Sequence, residues 1–125
     1  MEGQQVIDWD EAMEQCGDDE EFLRELLADL RGEVDTQLVK IDDTLKNPGD
    51  NPYHRIMRAS HVIKGAASNL MCQQLRATAT TLEQAAAGAQ DMGQDASAMA
   101  TVQNCYNDLK VAVSNYHAFL QSIGI

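Results

Sequence analysis

From Asp19 to about Lys46 the apolar residues Leu23, Leu26/Leu27, Leu30, Val34, Leu38, Ile41 and Leu45 recur every three or four positions. At roughly 100° per residue that spacing gathers them on one face of a helix, and it fits no strand. So long an amphipathic helix has to be covered by others like it, and three more stretches carry the same pattern. The segment 53–71 places Ile56, Ser60, Ile63, Ala67 and Leu70 on one stripe. The segment 72–88 does so with Cys72, Leu75, Ala79, Leu82 and Ala86, and 95–122 with Met99, Val102, Cys105/Tyr106, Leu109, Val113, Tyr116 and Leu120, followed by Ile123. Strand-like alternation is absent throughout. These stripes predict an all-α fold, an antiparallel up-down-up-down four-helix bundle with a short N-terminal helix capping one end. With 125 residues, the chain suits one domain with one core over 1–125.

The breaks between stripes carry their own chemistry. Asn47-Pro48-Gly49-Asp50-Asn51-Pro52 ends the first long helix, and Pro52 falls in the first turn of the next, where a missing N–H costs nothing. The third bundle helix is expected to peter out between Gly88 and Gly93. At the N-terminus residues 1–7 are expected to fray. A short helix over about 8–16 then opens on Asp8 with Glu11 three residues later, in the form of a capping box, and stops at Gly17. Asp18 with Glu21 repeats that device, and the run Asp18-Asp19-Glu20-Glu21 puts negative charge on the positive end of the next helix dipole.

Net charge is −11, unevenly spread. Residues 1–50 hold sixteen acidic and four basic side chains, 51–72 hold none acidic and three basic, and 73–125 hold four acidic and two basic. The segment around His61 is thus the one basic island. So acidic a chain is a poor partner for nucleic acid or an anionic membrane, both polyanions, and suits a basic protein surface. No apolar run has the length of a membrane span, and no secretory leader pattern opens the chain. Cys16, Cys72 and Cys105 are odd in number and form no CxxC pair, as reduced thiols do. These features predict a soluble, cytoplasmic protein, in a eukaryote also nuclear.

His61 lies about 140° from Ile56 on the helical wheel, so it should face solvent with Lys64, Gly65 and Ser68 beside it. An exposed imidazole near neutral pH offers a ring nitrogen lone pair able to attack phosphorus. Lys64, at i+3, brings an ammonium beside whatever the ring carries, and Gly65, a costly helix residue, clears the space next to it. His54, Met57 and Arg58 share the outward side. His54 is about 10 Å along the axis from His61, too far for the two rings to share a metal ion, and no Glu-x-x-His or His-x-x-x-His spacing occurs, so no metal site is expected. Phosphate loops, nucleophile elbows and zinc spacings are missing as well.

The string His-x-Ile-Lys-Gly-Ala-Ala-x-Asn-Leu at 61–70 resembles the signature of the histidine-containing phosphotransfer (HPt) domains of multistep phosphorelays. The likeness extends to Ile7-Asp8-Trp9, to Gly17-Asp18-Asp19-Glu20-Glu21-Phe22-Leu23 and to Leu82-Glu83. It departs at Ala66, where many members have serine, and at Met71, where many have glycine. The resemblance implies that His61 reversibly accepts a phosphoryl group from a receiver-domain aspartate and passes it to another receiver. Lys64 would offset the phosphoryl charge and Gly65 give steric access. Ser68 would either bond near the phosphoryl group or bond back to its own helix, and Glu83 would either orient the imidazole or simply sit on the surface.

The rim on which a receiver settles would be His54, Met57, Arg58, Ala66 and Met71. Partners would be the receiver domains of hybrid histidine kinases and of response regulators, with Mg²⁺ on the receiver and no cofactor on this chain. The protein would be a monomer and an intermediate rather than an enzyme, since the length leaves no room for a kinase's nucleotide-binding domain. Two rivals stand beside this: a helical adaptor that binds receivers without carrying phosphate, and a module excised from a hybrid kinase. Met1 before a compact domain fits a free-standing protein.

Overall fold

The computed structural model describes residues 6–92 and 96–125, in which five helices follow one another. They are α1 (Trp9–Gln15), α2 (Glu20–Lys46), α3 (Pro52–Asn69), α4 (Gln73–Met92) and α5 (Ala96–Ser122), with no strand among the described residues. Helix α3 packs on α2 and α4, α4 packs on α5, and α5 closes the ring against α2. Short connections between successive long helices make neighbours antiparallel, which gives the up-down-up-down bundle.

The stripes form the core. Leu23, Leu27, Val34 and Ile41 of α2, Ile56, Ser60, Ile63 and Ala67 of α3, and Leu75, Ala79, Leu82 and Ala86 of α4 are wholly buried. On α5 Val102, Leu109, Tyr116 and Leu120 complete them. Three polar residues sit inside and each satisfies its hydrogen bonds locally. Ser60 Oγ donates to the Ile56 carbonyl at 2.8 Å, Thr44 Oγ1 to that of Lys40 at 2.7 Å, and Gln37 Nε2 to Glu33 Oε1 at 3.0 Å. Gln37 and Thr44 hold stripe positions, while Leu26, Leu38 and Leu45 lie half-covered at its edges.

The seam between α2 and α5 is bridged by side chains that reach the neighbouring backbone. Tyr116 Oη donates to the Leu27 carbonyl at 2.6 Å, Arg31 to that of Ile125 at 2.8 Å, and Arg24 to that of Ile123.

Several boundaries differ from the sequence expectation. Val6 and Ile7 do not fray: both are buried, because the core end beneath α1 has an apolar site for them, while residues 1–5 lie outside the described residues. Half of the expected capping box at Asp8 forms, the Asp8 carboxylate accepting the Glu11 N–H at 3.2 Å. The N–H of Asp8 instead donates to the Met71 carbonyl at 2.9 Å, which latches α1 to the turn between α3 and α4. From the other side Trp9 meets Phe119 edge to face, ring centroids 6.2 Å apart, so α1 caps that end of the bundle.

The cap of α2 is Asp19 rather than Asp18, and its carboxylate accepts the Phe22 N–H at 3.0 Å. Asp18 is in the left-handed region, φ 61°, and serves the end of α1. Helix α4 continues through Gly88 to Met92, since Ala86 and Ala89 carry its buried stripe past the glycine. Asp95, the expected start of the last helix, lies outside the described residues.

Three helices end in the same six-residue wrap, in which the two residues after the C-cap donate back into the last turn. After α1, Gly17 and Asp18 donate to Glu14 and Met13; after α5, Gly124 and Ile125 donate to Gln121 and Leu120. After α3, Met71 and Cys72 donate to Ser68 and Ala67. The wrap needs a left-handed residue in its first position, filled by Gly17 (φ 66°), Gly124 (φ 80°) and Met71 (φ 57°). Met71 is therefore not the last residue of the helix, as the expected span 53–71 had it, but the residue that turns the chain. A side chain stands there where the backbone favours glycine.

Candidate functional site

Helix α3 buries the face containing Ile56, Ser60, Ile63 and Ala67, and this turns His61 outward with its side chain 67% exposed. Helix α4 lies alongside, and the tight turn between the two sets their register. Glu83 reaches across from α4, where its Oε2 lies 2.8 Å from His61 Nδ1 and its Oε1 2.6 Å from Lys64 Nζ. One carboxylate thus holds both side chains. In the neutral tautomer that carries its proton on Nδ1, toward Glu83, the lone pair of His61 is on Nε2 of this exposed ring. Burial pushes the Glu83 carboxyl up, but the hydrogen bonds from Lys64 and His61 and their charges outweigh it and hold the group below its ordinary value.

The other residues of this face differ in their surroundings. Gly65 is exposed, and a Cβ built on it would meet nothing within 4 Å, so no internal packing demands glycine. Ser68 Oγ donates to the Lys64 carbonyl at 2.9 Å, the back-bond to its own helix. His54 and Arg58 are exposed on the same arc as His61, and Met57 is half-buried at its edge. Ala66 is half-buried on the flank toward α2, and Met71 stands past the end of α3. Of the residues singled out from sequence, His61, Lys64 and Glu83 form one bonded network; Gly65, His54 and Arg58 surround it; Met71 lies apart.

Two grooves along the seam of α2 and α3 escaped the sequence reading. One, of about 540 Å³, is lined by Phe22, Leu26, Leu30, Ala66 and Leu70, with Asp29 and Glu33 also on its wall. The second, of about 500 Å³, lies between Lys40, Asp43, Arg55, Arg58 and Val62, with Gln37 beside them. The exposure of Phe22, an aromatic side chain 47% open to solvent, was the available signal for the first. The second joins residues of two distant segments, and the spacing along one helix says nothing about it. Among the described residues no three His, Cys, Asp or Glu side chains gather as a metal site would require, and no helix is long and apolar enough to cross a membrane.

The described residues form an all-helical bundle in which the exposed imidazole of His61 is backed by a carboxylate and flanked by an ammonium. The family model described as the Hpt domain matches residues 25–112, most of the chain including the whole network, and the protein belongs to that family. Hpt domains serve histidine phosphotransfer in phosphorelays, in which they work with receiver domains. No curated protein and no solved structure matches the chain.

Proposed function

We propose that His61 is the phosphoacceptor of a phosphorelay, loaded from the aspartyl phosphate of one receiver domain and unloaded onto the aspartate of another. The observation that carries this reading is the bond between His61 Nδ1 and Glu83, which leaves Nε2 free on an exposed ring. The Nε2 lone pair attacks phosphorus, a P–N bond forms, and the P–O bond to the receiver's aspartate breaks, the carboxylate leaving with the electron pair. The ring then bears substituents on both nitrogens and a positive charge, which the Glu83 carboxylate offsets through the Nδ1 proton. Reversal on the second receiver returns the pair to Nε2. Mg²⁺ belongs to the receiver, and this chain contributes the nucleophile and its surroundings.

Lys64 is not a free surface lysine, since Glu83 tethers it, and the tether holds its charge beside the incoming phosphoryl group. Lys64→Ala is expected to slow transfer while leaving the helical content unchanged. Gly65 gives clearance, and His54, Met57, Arg58 and Ala66 form the rim on which the receiver rests, with Met71 at its far end.

The test is transfer from receiver domains charged with phosphate on aspartate in the presence of Mg²⁺, comparing the wild type with His61→Gln. Label on the wild type only, lost in acid and kept in base as a phosphoramidate is, supports the relay role. Binding of receivers by both proteins without label on either favours the adaptor.

A further inference from the structure

We propose that the groove between Lys40 and Arg58 is a charge-reading part of the docking surface, and that it receives a carboxylate side chain of the receiver domain. This rests on the reading of His61 as phosphoacceptor and says what kind of receiver surface that site selects.

The chain has 20 acidic residues to nine lysines and arginines, so a cation left without a partner is the exception. Arg24, Lys46 and Lys64 each hold a carboxylate, and Lys110 lies over the Tyr106 ring. Arg31 and Arg55 are taken up by backbone carbonyls, those of Ile125 for the first and of Pro48 and Asp50 for the second. Lys40, Arg58 and Arg76 make no ion pair among the described residues; Arg76 stands by itself on α4, whereas Lys40 and Arg58 are both exposed and line the same groove, where the one acid is Asp43. Two unneutralised cations facing one cleft repel each other and attract an anion.

Position ties the cleft to phosphotransfer. Arg58 stands one turn before His61 on the exposed arc of α3, and Val62, next to His61, lines the cleft as well. A domain that brings phosphate to His61 therefore covers the mouth of the groove. A small anion in so open a cleft stays in contact with water and is held weakly. A carboxylate on a docked surface is shielded from water, and its attraction to the two cations strengthens accordingly.

The experiment uses a receiver domain that labels wild-type His61, and compares its affinity and transfer rate for the wild type and for Lys40→Glu and Arg58→Glu, at low and high salt. Lys40 is the more telling position, being on α2 and removed from the histidine network. At low salt each reversal is expected to weaken binding on the order of tenfold, chiefly by slowing association, and the deficit should shrink at high salt. Exchange of one acidic residue on the receiver for lysine should restore binding to Lys40→Glu. Wild-type affinity in Lys40→Glu, while the wild type is still labelled, would overturn the groove proposal and leave the role of His61 standing. A deficit that persists unchanged at high salt would overturn it too, since it would point to shape rather than charge. If no receiver labels the wild type, the reading of His61 fails, and the groove proposal falls with it.

Discussion

His61 and Glu83 are 22 residues apart and on different helices, yet the carboxylate of one lies 2.8 Å from the ring nitrogen of the other. The second oxygen of that carboxylate is committed to Lys64. Loss of Glu83 therefore disturbs the His61 ring and the Lys64 ammonium together.

Glu83→Gln keeps the shape and removes the charge. Losing a charged hydrogen bond is worth roughly 1.5–3 kcal/mol, so the rate of transfer to His61 is expected to fall by about tenfold to a hundredfold. Rapid-quench transfer from a phosphorylated receiver measures it, and a rate equal to wild type would remove Glu83 from the mechanism. The same residue sets a pH dependence of stability. Its folded carboxyl is held below the ordinary value of 4.5, so its contribution is complete above that value and is lost as the pH falls through the lower folded value. Urea melts of the wild type and Glu83→Gln across that range should converge on the acid side.

Gly65 separates stability from docking. Alanine at this open helical position should raise stability by about 0.5–1 kcal/mol, because its Cβ meets nothing. Gly65→Glu should fold as well, yet slow transfer at least about tenfold by bulk and by charge on the approach to His61. Thermal melts paired with transfer rates decide, and a Gly65→Glu protein that transfers normally would mean that the clearance is idle.

Met71 is expected to reverse the usual helix ranking. At an ordinary helical position Ala is preferred to Gly; here, with φ at 57°, Met71→Gly should be more stable than Met71→Ala by on the order of 1 kcal/mol. Denaturant titration of the two variants gives the sign directly.

Tyr116→Phe removes the hydroxyl that donates to the Leu27 carbonyl at 2.6 Å in the core. A loss of about 1–3 kcal/mol is expected, since the carbonyl is left without that donor, with transfer to His61 unaffected at temperatures where the variant stays folded. Burial pushes the phenol well above its ordinary range, so absorbance titration should not detect its ionisation before the protein unfolds in base.

What could be read from the chain follows from the range of each interaction. The burial of Ile56, Ser60, Ile63 and Ala67, and with it the outward aim of His61, depends on the helical period alone and needs no knowledge of other helices. The contact with Glu83 depends on the register of α4 against α3, which a turn at Met71 determines, and sequence spacing does not encode that register. Gln37 and Thr44 were missed as interior residues because their polarity argues for solvent, while their bonds to Glu33 and Lys40 satisfy them inside. Asp18 looked like the cap because it has the chemistry of one; the wrap that ends α1 claims it and passes the task to Asp19. The fold was therefore legible almost entirely, the outward aim of His61 with it, and the Glu83 carboxylate beside the ring only through the resemblance.

The latch between Asp8 and Met71 bears on how the molecule can be dissected. The Hpt match begins at residue 25 and ends at 112, but Ile7, Leu23, Tyr116 and Leu120 are all fully buried and all outside it. A fragment trimmed to the family limits would keep the histidine and its carboxylate yet open both the capped end and the seam of α2 and α5. The unit that folds is thus wider than the unit that is recognised, and the flanking segments are structural parts of the domain rather than tails to be removed.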